Sequence, residues 1–481
     1  MSKSNMIQIK KIFILLILAE VISLVAFFNP TVETAAFVLI CLAVFFISLW
    51  DLRYGVLVAL AELFVGGMGY LFVLEQGGLH LSVRMGLFLI LLAVFVYKAV
   101  KEHNIEFFKS KLFGPYVVLA AFLFLGLVLG YFYGNNPAYI FFDSNAFFFF
   151  GYVPVFFQAF KKQEDLKIIW PVFWAAIVWL AIKTLLVFFI FTHGFVSIIP
   201  GLYKWIRDTG VGEITPAPGG FYRVFFQSQI YLVLGLILLT AERIFSSQKS
   251  LRLAGSITVF SAVLLSFSRS LWLGLAAATF VLLVVAMIFL RAPILQTGKT
   301  VGWLVATALG GLLLVYIVGY FPFPARTTFS FIDVLGSRIS TSDAASATRW
   351  AELKPLWSGI QNHLFFGSGF GTTVTFKTQD PRILKTSPTG DYTTYAFEWG
   401  WLDVWLKIGL FGLVAYFNLL YQVVKMGVAN FQFPISNFQT YGLLFSLFAL
   451  IIVHTFTPYL NHPLGLGWLI LVGLFLERNR F

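Results

Sequence analysis

The sequence predicts an all-α, polytopic transmembrane helix bundle with one large extracytoplasmic loop that contains short helices. Three observations carry this. The 481 residues are 59% hydrophobic and only 11% charged, too few charges to cover a soluble chain of this length. Apolar runs of about 20 residues recur along the chain, the length that crosses the hydrocarbon of a bilayer. The polar connections sort by charge into two alternating sets, as loops on the two sides of a membrane do.

Taken in order, the runs lie at 11–29, 34–50, 54–75, 84–101, 115–134, 138–160, 167–192, 225–242, 251–267, 270–291, 300–320, 397–425, 438–458 and 463–477. About 12–14 spans are expected, the range set by the short pairs 11–29 with 34–50 and 225–242 with 251–267. The first run, KIFILLILAEVISLVAFF, follows a basic start as a signal peptide does. No small-residue cleavage site follows and more spans come at once, so it reads as a retained helix. The chain divides into N-terminal helices (1–192), central helices with arginine-bearing external ends (193–320), the loop (321–396) and C-terminal helices (397–481).

Loop charge sets the orientation. Lys3, Lys10 and Lys11, Arg53, KAVKEHNIEFFKSK, KKQEDLK, ERIFSSQKSLR, RAPILQTGK, Lys425 and ERNR fall on one side. The positive-inside rule makes that side cytoplasmic, with both termini on it. EQGGLH, GNNPA, 193–224, the SFSRS turn and the loop 321–396 fall on the other. The formal net charge of +12 therefore belongs to cytoplasmic loops, and no nucleic-acid partner is expected. Cys41 is the only cysteine, which excludes a disulfide within the chain.

Within the loop, ASATRWAELKPLWSGIQ has helical spacing, with Trp350, Leu353, Leu356, Trp357 and Ile360 on one face and Ser346 as a candidate N-cap. The glycines of FFGSGFGTT read as turns. GSGFG lacks the lysine of a nucleotide-binding loop, and no DxD, HExxH or Cys/His spacing appears, so neither metal nor cofactor is expected.

The candidate site rests on charge in the wrong place. Arg223 and Arg269 stand at seams between apolar runs on the external side, and Arg338 and Arg349 lie in the external loop. A single such arginine fits snorkelling to lipid phosphate. Several on one side point instead to an anionic ligand, and a planar guanidinium matches a diphosphate. Arg326 and Arg382 read as loop surface. Glu398 opens the next helix without an obvious local partner, a candidate general base with a pKa raised by partial burial. Asp403 and Lys407 stand at i,i+4 and are expected to pair. Glu62 and Lys183 fall at similar depth and are expected to pair across the bundle, or to line the path of a transporter. Glu20 and Asp143 are further intramembrane charges, and His363, His454 and His462 are weak signals alone.

Four stretches together resemble the O-antigen ligase and O-antigen polymerase superfamily of bacterial envelope glycosyltransferases. They are GGFYRVFFQSQIYLVLG, LLSFSRSLWLGL, LGSRISTSDAASATRWAELKPLWSGIQNHLFFGSGFGT and EWGWLDVWLKIGLFGLVAYF, covering about residues 200–425. The resemblance implies an inner-membrane enzyme with its site on the periplasmic face. Its donor would be an undecaprenyl-diphosphate-linked glycan, its acceptor a glycan or lipid A-core hydroxyl, and its surroundings membrane lipids. By the same resemblance Arg223 and Arg269 bind the diphosphate, with Arg338 or Arg349 assisting. The sequence departs from the family in one place: counting back from Gly409 puts Glu398 where the family has histidine and Trp399 where it has asparagine. Aromatic residues Trp205, Tyr222, Trp350, Trp357, Tyr392 and Tyr395 are candidates for stacking on sugars. The alternative is a transporter or flippase for a lipid-linked glycan or small anion.

Overall fold

The computed structural model describes residues 3–246, 253–322, 336, 344–378, 381–385, 387–429 and 438–478. It is mainly helical, and ten helices among the described residues are long and apolar enough to cross a membrane. A shorter apolar helix, Leu253–Leu265, adds to them. The chain forms two compact units interleaved in sequence: Met1–Glu106, Tyr152–Val334 and Gln432–Ala449 in the first, and Phe107–Gly151, Leu335–Phe431 and Leu450–Phe481 in the second.

In the first unit, local chemistry sets the helix ends. Asn29 caps the Pro30–Trp50 helix, its Oδ1 accepting from the Thr31 and Val32 amides, and Pro30 gives up no needed donor at the first turn. Asp51 caps the next helix, Leu52–Val65, by accepting from Arg53 N. That helix stops ten residues short of the expected span 54–75. Gly67 turns at φ +60, and a Cβ there would meet the Gly210 carbonyl at 2.5 Å. The chain then forms an antiparallel hairpin, Val73–Gln76 with Leu79–Ser82, closed by Gly77 and Gly78 at φ +59 and +82. A two-residue turn with both φ positive matches strand twist, and glycine adopts it without strain.

The intramembrane charges are paired differently from the expectation. Arg84 donates through Nε and Nη2 to both oxygens of Glu62, each at 2.9 Å. Lys183 donates to Glu20 at 2.6 Å, and Trp179 Nε1 bonds the other Glu20 oxygen at 3.1 Å. Glu62 and Lys183 therefore do not pair; similar depth brought neither to the other. Both pairs are largely withdrawn from solvent, where leaving one partner alone is costly.

In the second unit, the Gly400–Ala429 helix packs on Phe113–Phe132 and on Pro463–Arg478. It is broken at Gly409, which sits at φ 71, ψ 179. The segment after the Ala344–Asn362 helix fills the break. Ser368 N donates to Leu406 O at 2.7 Å and Gly369 N to Lys407 O at 3.1 Å. On the other side Leu410 N donates to Leu364 O at 2.9 Å and Phe411 N to Phe365 O at 3.2 Å. Backbone groups that a continuous helix pairs internally are thus satisfied by the glycine-rich segment, which irregular backbone at membrane depth requires. Gly367, Gly369 and Gly371 all have φ near +80, so FFGSGFGTT turns as expected. Asn135 Nδ2 ties the segment down through Phe370 O at 2.9 Å and Thr372 Oγ1 at 3.0 Å.

The loop helix starts at Ala344, ahead of Ser346, so Ser346 is not its N-cap. Leu356 and Ile360 are buried as expected, packed with Val374, Phe397 and Leu406. Trp350 and Trp357 of the expected apolar face are exposed. The buried stripe runs instead through Glu352, Leu356 and Ile360, one helical turn apart.

Candidate functional site

In the first unit, Arg223 does not enter a helix as expected. It lies on the second strand of an antiparallel hairpin, Gly212–Ala217 with Phe221–Phe226, opposite Thr215. The helix that follows begins only at Ile230. Gln229 joins strand to helix: its Oε1 accepts from Phe226 N at 3.2 Å, and its Nε2 donates to Val224 O and Thr184 Oγ1, both at 3.2 Å. The strand delivers Arg223 to the SFSRS turn, where its Nε donates to Ser266 O at 2.7 Å. Arg269 opens the Arg269–Ile288 helix three residues later. Phe267 between them sits at φ 46, and the Ser268 amide is held by Ser266 Oγ at 3.2 Å. Arg223 and Arg269 are both half-buried, the first bonded to the turn and the second opening the helix that follows it. A helix N-terminus at Arg269 adds its positive end to that turn.

In the second unit, Arg349 and Glu398 are ion-paired, Arg349 Nε to Glu398 Oε2. Glu398 therefore has a partner, and its side chain is 47% exposed. Trp399 Nε1 donates to Arg349 O at 2.9 Å and stacks edge-on with Trp350. Behind the pair lies Glu352, which the sequence reading passed over. It is 3% exposed, and its Oε1 accepts from the Glu398 amide at 3.2 Å. Burial pushes the Glu352 carboxyl up to about 8, the Asp403 carboxylate adds to the rise, and Arg349 and Lys407 oppose it. The available signal was spacing: Glu352 precedes Leu356 and Ile360 by four and eight residues.

Asp403 and Lys407 pair at i,i+4 as expected, at 2.5 Å. Lys407 also holds Asp143, whose other oxygen accepts from Gly371 N at 2.8 Å. Asn461 Nδ2 donates to Asp403 at 2.6 Å. The cluster ties the broken helix to the glycine-rich segment. His363 sits in the turn after the loop helix, stacked on Tyr133 at 4.5 Å. His454 is buried, its Nδ1 accepting from Leu460 N at 3.1 Å. Among the sugar-stacking candidates Trp205 is buried and bonded to Ser23 Oγ, while Trp350, Trp357 and Tyr392 are exposed. Arg326 and Arg338 lie outside the described residues, as does the side chain of Arg382. Among the described residues no group of three or more His, Cys, Asp or Glu is arranged to hold a metal ion.

Apolar helices of membrane-crossing length, interrupted only where buried polar backbone is re-paired, define a multi-pass membrane protein. Residues 254–417 match the family model described as O-antigen ligase, and over that stretch the chain is similar to that family. The matched stretch contains Arg269, Arg338, Arg349, Glu352 and Glu398; Arg223 lies ahead of it. No curated protein matches the chain.

Proposed function

We propose that the protein is a membrane glycosyltransferase that moves a glycan from an undecaprenyl-diphosphate carrier to a sugar hydroxyl, as an O-antigen or polysaccharide ligase or polymerase. The observation that carries this is the pair Arg223 and Arg269, drawn by a hairpin strand and a helix start to one turn between apolar helices. Guanidinium groups at such a turn suit a diphosphate headgroup whose polyprenyl tail stays in lipid. The family match at 254–417 supports the same reading.

In the reaction, an acceptor hydroxyl loses its proton to a carboxylate at or next to Glu398, the position that the resemblance marks for the base. The acceptor oxygen bonds the anomeric carbon as the bond to the diphosphate breaks and its electron pair leaves with the diphosphate. Arginines stabilise the charge growing on that leaving group, without nucleotide sugar or metal. Arg338 and Arg349 are proposed helpers. Loop charge supports an inner-membrane setting with cytoplasmic termini and the chemistry outside.

A transporter or flippase is the competing reading. Its midplane charges, Glu62 and Lys183, are each held in a buried ion pair. The test supplies purified protein with undecaprenyl-diphosphate oligosaccharide and reads free lipid diphosphate. Arg269→Ala is expected to abolish release and Glu398→Gln to reduce it. Full turnover in both variants sinks the mechanism.

A further inference from the structure

We propose that Glu352 takes the proton from the acceptor hydroxyl, and that Arg349 with Glu398 forms a clasp over it which the acceptor sugar opens. The inference rests on the glycosyl-transfer reading above and deepens it. Glu398, the position that the resemblance marks for the base, has its Oε2 occupied by Arg349 and is half exposed. Its amide is bonded to the Glu352 carboxyl, which places a second, buried carboxyl directly behind it. An ion pair with partners 32% and 47% exposed contributes little and opens at small cost. Sugar hydroxyls can replace its bonds, and Trp350 beside it offers an exposed ring face for the sugar.

The surroundings suit a base. Among the described residues, the charged groups that face Glu352 are Arg349 on its own helix, Glu398 on the strap before the next helix, and Asp403 and Lys407 one and two turns into that helix. Burial makes the carboxylate more basic than a solvated one, up to about 8, as suits a general base. The acceptor O–H proton passes to a Glu352 oxygen, the acceptor oxygen forms its bond to the anomeric carbon, and the diphosphate departs with the electron pair. The carboxylic acid then returns its proton to water.

The test is a pH–rate profile with an undecaprenyl-diphosphate oligosaccharide that serves as donor and acceptor. Wild-type turnover should climb with pH to a midpoint near about 8. Glu352→Gln keeps an oxygen for the Glu398 amide, so a merely structural role would survive the change. It should nonetheless lose the pH limb and about 10²–10⁴-fold in rate. Glu352→Asp, which keeps the acid, should restore part of the limb. Glu398→Gln should raise the acceptor KM and keep the limb. Retention of the limb by Glu352→Gln, or its loss in Glu398→Gln alone, overturns the assignment and leaves glycosyl transfer standing. A wild-type protein that is folded by its thermal transition yet inert at every pH overturns the parent reading, and this assignment with it.

Discussion

Gly409→Ala tests whether the break in the Gly400–Ala429 helix is required by packing. At φ 71, ψ 179 the residue lies in a region open essentially to glycine alone, where another residue costs about 1–3 kcal/mol. An added Cβ would stand 2.3 Å from the Phe365 carbonyl oxygen and 2.4 Å from the Phe366 carbonyl carbon, both backbone atoms of the inserted segment. Relieving that overlap costs a further ~1–3 kcal/mol. The expected loss is therefore ~2–6 kcal/mol, concentrated where 364–369 bonds 406–411. Thermal unfolding in detergent should show a lowered transition, and hydrogen exchange should speed at Ser368, Gly369, Leu410 and Phe411. Gly302→Ala is the control, since its Cβ meets nothing within 4 Å and should change stability by less than ~1 kcal/mol. Equal transitions and equal exchange in wild type and Gly409→Ala would refute the reasoning.

Three further outcomes are expected. Lys407→Ala strands two buried carboxylates and should cost ~3–5 kcal/mol, most of it recovered when Asp143→Asn, Asp403→Asn and Lys407→Met are combined; thermal unfolding reads both. A double-mutant cycle should show strong coupling for Glu62 with Arg84 and additivity for Glu62 with Lys183. Glu352 holds its proton more tightly folded than unfolded, so its contribution to stability is present below pH 4.5 and lost as pH rises through about 8. Glu352→Gln should thus gain on wild type above pH 8, by at most ~5 kcal/mol, in unfolding followed across pH.

What was legible in the sequence was local or periodic. Apolar runs gave the helices, and the i,i+4 spacing gave the Asp403–Lys407 pair. Asp143, 264 residues away from Lys407, left no local trace. Depth alone suggested Glu62 with Lys183, but depth selects no partner, and Arg84 and Glu20 hold them instead. FFGSGFGTT announced turns without announcing the broken helix that they fill. Arg223 looked like a helix entry because FYRVFF runs straight into an apolar stretch; strand pairing with Gly212–Ala217 decided otherwise. Glu352 lay in a mixed polar and apolar stretch, TRWAELK, and its helical phase with Leu356 and Ile360 was the one clue to its burial.

The most direct test of the central claim follows both halves of the reaction in proteoliposomes carrying a labelled undecaprenyl-diphosphate oligosaccharide. The account predicts extended glycan and free undecaprenyl diphosphate in equal amounts from wild type, and neither from a variant carrying Arg223→Ala with Arg269→Ala. Movement of the intact donor across the bilayer, with no lipid diphosphate released, would contradict it.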